Sequence, residues 1–211
     1  MLKAAGCSYR RARRVPPKNP APTVRQARAR ALDKLRRFEA QGQCDVLYAD
    51  ESGFALCPCV PYAWQAKGSS LRLPAHPHQQ RYNVLGFWRR DNWLRAVTWQ
   101  GRMTAERFIA SVEAELLPHL RADRETVLVL DNAPVHRAKT VQAKAREWRE
   151  KGLRLFFLPS YSPQMNPIER LWREMKYHWL EPAAYADFPS LMQAVTTILN
   201  QVGTKYLLSF S

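Results

Sequence analysis

Three carboxylates in this 211-residue chain stand where elements begin or end. Asp131 follows the apolar run Val127-Leu128-Val129-Leu130 and precedes the turn-like Asn132-Ala133-Pro134. Asp50 closes a second run, Val46-Leu47-Tyr48-Ala49. Glu169 follows Asn166-Pro167-Ile168 at the start of a helical stretch. Acids at element ends can be pointed into a shared cleft, and carboxylate oxygens suit a hard divalent cation. Such centres work on phosphodiesters. The expected site is therefore a metal-dependent one that cuts or transfers a nucleic-acid strand.

Each acid also has a plainer local explanation. An aspartate ending a buried strand is costly unless paired or metal-bound, and strand carboxyl ends face the ligand crevice in open α/β sheets. Asp131 can equally start a turn or cap the following helix. Asp50 repeats the arrangement, but whether the two strands are neighbours is not legible locally. Glu51 competes with Asp50, although strand alternation sends it to the opposite side. Glu169 is the most ambiguous. Asn166 as N-cap, Pro167 at the first helical position and Glu169 two residues later make a capping box that needs no catalysis. Glu169 also lies within reach of Arg173 on the helix surface. Local physics alone favours capping there, even though a helix N-terminus keeps a carboxylate ionised.

The elements that must position these acids follow from periodicity. Val46–Ala49 reads as a buried strand and Thr126–Leu130 as a central one covered on both faces. Tyr82–Trp88 and Trp93–Trp99 flank Arg89-Arg90-Asp91-Asn92, a hairpin signal. Thr104 can cap a helix whose stripe is Phe108, Ile109, Val112 and Leu116. A basic helix is expected from about Val135 to Lys151, closed by Gly152. Leu153–Leu158 is a further strand, and helices are expected over 167–180 and 188–202. This order predicts a mixed α/β sheet with helices on its faces.

Thirty-three Lys and Arg against 18 Asp and Glu give a formal charge of +15. Such a field attracts polyanions, nucleic acid above all. Twelve of the basic residues lie in 1–37 against one acid, Asp33. Prolines 16, 17, 20 and 22 oppose regular structure at first. From Thr23, the residues Val24, Ala27, Ala31, Leu35 and Phe38 take helical spacing. The expectation is a basic arm and amphipathic helix over 1–40, as linker or DNA contact, before a catalytic domain over 41–211. Arg10, Arg11, Arg13, Arg14, Lys18, Arg25 and Arg28 would meet phosphates without reading bases; a helix that merely docks on the domain is the alternative.

No run approaches the roughly 18 apolar residues a membrane span needs, and the N-terminus lacks an apolar signal core. A cytoplasmic protein, nucleoid-associated when bound to DNA, is expected. Cys57-Pro58-Cys59 lacks zinc-ribbon spacing. With Cys7 and Cys44, and His76 and His78 nearby, the thiols read as reduced and structural rather than as zinc ligands.

The motifs carry more than the periodicities do. Asp131-Asn132-Ala133-Pro134-Val135-His136, and the long stretch Leu158-Pro159-Ser160-Tyr161-Ser162-Pro163-Gln164-Met165-Asn166-Pro167-Ile168-Glu169-Arg170-Leu171-Trp172, closely resemble bacterial insertion-sequence transposases related to mariner. Tyr48-Ala49-Asp50-Glu51-Ser52-Gly53 is similar to the family's first acidic motif, and Trp64 and Lys67-Gly68 fit the region after it. The resemblance spans about residues 44–180 in order.

What it implies is a ribonuclease-H-like mixed sheet flanked by helices, bearing a DDE triad of Asp50, Asp131 and Glu169. It places the first two acids on adjacent strands and brings the third from a later helix. It further implies two Mg²⁺ ions, replaceable by Mn²⁺, with Asp50 shared and Asp131 and Glu169 holding one each. Asn132, His136 and Asn166 are expected to orient the ligands, although His136 may be read as only holding the turn. Lys67 joins the expected DNA contacts. Implied activity is cleavage at an element's end, then transfer of the released 3′-hydroxyl into TA-containing target DNA, by a homodimer on DNA. The family carries N-terminal helix-turn-helix domains, which the first forty or so residues do not resemble. That suggests a truncated copy or the second frame of a split element, without specific end recognition. A DNA-binding remnant and a structure-specific two-metal nuclease are the competing readings.

Overall fold

The computed structural model describes residues 21–57, 67, 80–160 and 162–209. Arg10, Arg11, Arg13, Arg14 and Lys18 lie outside the described residues, as do Cys7, Cys59, Trp64, Gly68, His76 and His78.

Pro22, whose fixed φ suits a first helical turn, opens α1 (Pro22–Ala40). The strands β1 (Cys44–Ala55), β2 (Arg81–Trp88) and β3 (Leu94–Gln100) form an antiparallel meander. Thr104 caps α2 (Ala105–Ser111), its hydroxyl accepting the Arg107 amide at 3.2 Å, and a π turn and a 3₁₀ turn carry the chain to His119. Next come β4 (Glu125–Leu130), α3 (Lys139–Glu150), β5 (Leu153–Phe157), α4 (Ile168–Glu174) and α5 (Phe188–Gln201). A π-helical stretch, Met175–Trp179, continues α4 directly. Sheet order is β3-β2-β1-β4-β5, with β4 and β5 parallel to β1 and to each other.

Alternation along the strands divides the core into two layers. Val46, Tyr48, Val84 and Val129 face α1, α4 and α5 through Leu32, Ile168, Leu171, Trp172, Leu191 and Val195. Leu47, Ala49, Leu128 and Leu130 face α2 and α3 through Phe108, Val112, Val141 and Trp148. The expected mixed sheet with helices on both faces is what forms.

Two boundaries differ from expectation. The strand bearing Asp50 does not end at Ala49 but continues to Ala55. Its parallel partner β4 is lost beyond Tyr48, yet β2 still pairs with it to the Ala55–Arg81 pair. Asp50 therefore lies within a strand, at the point where its neighbour on one side stops. Second, α3 starts at Lys139 rather than near Val135. Successive turn bonds, from the His136 amide to Ala133 and from the Arg137 amide to Pro134, occupy that stretch.

Candidate active site

The β1–β4 register pairs Tyr48 with Val129. Carried two residues further, it brings Asp50 level with Asp131, both on the parity of the α4 layer. Asp50, Asp131 and Glu169 line one cavity of about 430 Å³, with Asn132, Ser160 and Asn166 among its other walls. The adjacency that local reasoning lacked is thus a consequence of the register.

Asp50 is held by Trp172. Its Oδ2 accepts the indole N–H of Trp172 at 3.1 Å. Trp172 in turn lies over Gly86, the β2 residue opposite Asp50. A Cβ on Gly86 would fall 2.7 Å from Trp172 Cη2 and 3.1 Å from Ile168 Cδ1. Glycine inside a strand often marks such a close approach. Burial, then the charges of Glu169 and Asp131, push the Asp50 carboxyl up to about 7.

Asp131 starts a turn, as one of its two local readings expects. Its Oδ1 accepts the Ala133 amide at 3.0 Å, an Asx-type turn, and meets His136 Nδ1 at 2.8 Å. Among the described residues its Oδ2 takes no hydrogen bond. Burial opposes ionisation, but the His136 bond, the Ala133 amide and the imidazolium charge outweigh it and hold Asp131 below the usual carboxylate range. His136 is 2% exposed and packs tilted against Phe108, with ring centroids 4.6 Å apart. Burial alone would lower its pKa; Asp131 and Glu51 instead raise it to about 9.

The capping box expected at Glu169 does not form. α4 begins after Pro167 with no side-chain cap. Asn166 is buried and spends its Nδ2 on the Ala49 carbonyl of β1, at 3.1 Å. Its side chain ties α4 to the strand bearing Asp50 rather than closing the helix. Glu169 is left at the cavity, its pKa raised by desolvation and by Asp131, with Lys176 opposing. Asn132 bridges the two loops, donating to Ser160 Oγ at 3.0 Å and accepting from Arg137 at 3.0 Å.

A divalent cation fits this donor set. Clustered carboxylates, one of them driven towards neutrality by burial and then by its neighbours, need positive charge to stay ionised together. Asn166, which lines the cavity, also keeps a buried Oδ1 with no hydrogen-bond partner. Among the described residues no three of His, Cys, Asp and Glu close on a single point.

A second cavity, of about 770 Å³, shares Pro163, Asn166 and Glu169 with the first. Its walls carry Arg36 from α1, Arg90 from the β2–β3 turn, and Arg170, Arg173 and Lys176 from α4 and its continuation. Sequence reasoning named none of these as contacts. Residues 170, 173 and 176 follow helical spacing and were findable; Arg36 and Arg90 come from distant segments. Of the expected contacts, Arg28 lies over the Phe156 ring at 5.4 Å, and Arg25 keeps a buried Nε without a hydrogen-bond partner. Neither lines these cavities, and Lys67 is an exposed turn residue.

The site is thus an acidic cavity on a layered, mixed sheet. Residues 45–192 match the family described as DDE superfamily endonuclease, and the chain belongs to it. It is 25% identical over 179 residues to the insertion element IS630 "uncharacterized 39 kDa protein" of Shigella sonnei, covering 82% of this chain and 49% of that one. A 66-residue stretch is 33% identical to protein y4pE/y4sA of Sinorhizobium fredii, covering 31% of this chain and 44% of the other. The chain thus spans about half the length of the curated relatives it matches.

Among solved structures, the Mos1 strand transfer complex superposes with a TM-score of 0.62 at 16% identity, over 94% of this chain and 60% of that one. The catalytic domain of Mos1 mariner transposase gives 0.54 at 13% identity, over 88% and 85%. The fold is accordingly the ribonuclease-H-like one. Among the described residues no helix is long and apolar enough to cross a membrane.

Proposed function

We propose that residues 41–211 form the catalytic domain of a DNA transposase that cleaves a DNA strand and joins its 3′ end to target DNA. The observation that carries this is the gathering of Asp50, Asp131 and Glu169 on one cavity that opens beside a cation-lined groove. The three acids are the proposed ligands of two Mg²⁺ ions, or of Mn²⁺ in their place. When bound, such ions stabilise the attacking and leaving oxygens of an in-line displacement at phosphorus.

The chain's own residues have separable tasks. Asp50, held by Trp172, presents a fixed carboxylate to the cavity shared with the other two. Asn166 ties α4, and with it Glu169, to β1. Arg36, Arg90, Arg173 and their neighbours seat phosphates along the groove. In the first reaction a water oxygen bonds to phosphorus while the P–O3′ bond breaks, freeing a 3′-hydroxyl. In the second, that hydroxyl attacks a target phosphodiester and a target 3′ oxygen leaves. No covalent protein–DNA bond is needed. Family membership supports DNA as partner; with this reading go a homodimer on element ends, TA-containing targets and a cytoplasmic setting, and the charge of residues 1–40 supports them as a further DNA contact.

The decisive experiment is cleavage and strand transfer on duplexes bearing the element's own ends, with and without Mg²⁺, using Asp131→Asn as the inactive control. Metal-dependent nicking by the parent, absent in the control although DNA binding persists, is expected. Cleavage surviving in the control assigns the chemistry to other residues.

The groove makes a separate prediction. Arg36→Ala and Arg173→Ala should each lower affinity for duplex DNA regardless of sequence. Each should also flatten the dependence of log K on log salt by about 0.9, the release expected per lost phosphate contact. An unchanged slope in both variants places the DNA elsewhere.

A further inference from the structure

Glu51 follows Asp50 in β1 and so belongs to the opposite face of the sheet. That face is the α2–α3 layer, where His136 packs on Phe108. His136 Nε2 lies 3.3 Å from Glu51 Oε1, an ionic approach outside hydrogen-bond geometry, while Nδ1 meets Asp131 Oδ1 at 2.8 Å. Neither Glu51 nor His136 lines the acidic cavity or the basic groove. Both act on Asp131 from behind.

We infer that Glu51 and His136 form a clamp, running from the far face of the sheet to the end of β4, that fixes the Asp131 carboxylate for metal binding. This rests on the reading of Asp131 as a metal ligand. The side chain of Asp131 is about half exposed, at 52%, and follows the last residue of β4, so little else immobilises it. With Oδ1 occupied by His136 and the Ala133 amide, Oδ2 is left for the cavity. His136 can hold it only if its own ring is held, and a buried ring with one nitrogen facing no partner is costly. Glu51 supplies that second partner. Groups that orient a ligand in this way commonly govern metal affinity by about 10–100-fold. Both are positioning residues and touch no substrate.

The test is titration of the full chain with Mn²⁺ alone, followed by calorimetry or by the resonance of free Mn²⁺, with melting curves alongside. His136→Asn keeps an amide donor near the Nδ1 position but no longer reaches Glu51, so it should weaken binding about as much as Glu51→Ala does. His136→Gln places its amide nearer the Nε2 position and should weaken binding about tenfold or more, as should Glu51→Ala. On the His136→Asn background, Glu51→Ala should add nothing, since the shorter side chain no longer reaches it. Glu51 is partly exposed, so its replacement reports on the clamp even should His136→Gln not fold. A loss from Glu51→Ala that persists in full on the His136→Asn background overturns the clamp. So does a Mn²⁺ site abolished by Asp131→Asn but indifferent to Glu51→Ala. A parent that binds no Mn²⁺ overturns the clamp together with the metal reading.

Discussion

Asp50→Asn is expected to melt several degrees above the parent at pH 8 without metal, and to lose cleavage by at least about 10²–10³-fold, the scale for removing one group that stabilises developing charge. The stability gain follows from linkage. The folded pKa of Asp50 is raised to about 7 by burial and by Glu169 and Asp131. The unfolded chain therefore ionises first, and the metal-free fold loses stability as pH rises from about 4 towards 7. The shift sets an upper bound on the order of 4 kcal/mol, which water entry and relaxation reduce.

An amide at position 50 removes that charge and still offers an oxygen to the Trp172 indole. The decline between pH 4 and 7 should accordingly flatten in the variant. The contribution of His136 should persist: its folded pKa is raised to about 9, so its stabilisation is complete below about 6.5 and is lost as pH rises through 9. Thermal melts across pH 4–9, with and without Mg²⁺, check all of this. Mg²⁺ should stabilise the parent far more than the variant, because a ligand that binds only the folded state raises its stability. A variant that melts at the parental temperature throughout removes Asp50 from the role of strained ligand.

Gly86→Ala should destabilise the protein by about 1–3 kcal/mol, the range for overpacking a filled core, and should impair cleavage through a residue that touches no substrate. The new methyl group has no room: Trp172 Cη2 and Cζ2 would lie 2.7 and 2.9 Å away. Displacing the indole breaks its bond to Asp50 Oδ2. Trp172→Phe deletes those two atoms and the N–H together, so it should restore stability to Gly86→Ala without restoring the Asp50 contact. A double-mutant cycle on melting temperature, with cleavage measured in parallel, separates packing from positioning. Additive destabilisation, or full activity in Gly86→Ala, removes Gly86 and Trp172 from the support of Asp50.

β4, β5 and the hairpin arms show in their alternation and apolar runs, because those patterns depend on neighbours a few residues away. Thr104 as a cap and Gly152, at φ 86, after α3 are local in the same sense. Asp131 was suspicious from its position alone. The motifs around Asp50 and Glu169 singled out the other two acids, but no local rule joined the three.

Tertiary structure decided what depends on competition between distant partners. Asn166 could cap a helix or bond the Ala49 carbonyl, and only the approach of α4 to β1 settles which. Asp50 stands at the end of its apolar run, yet β2 extends the strand past it, and the β1–β4 register rather than a terminus brings it level with Asp131. Alternation sends Glu51 away from Asp50, and the turn after β4 then folds His136 beneath the sheet to meet it. The residues of the chain specify which groups can do chemistry, since periodicity and motif are written along it. Which of their possible bonds they make, and which oxygen is left for a metal, is set by register and helix docking across long separations in the chain.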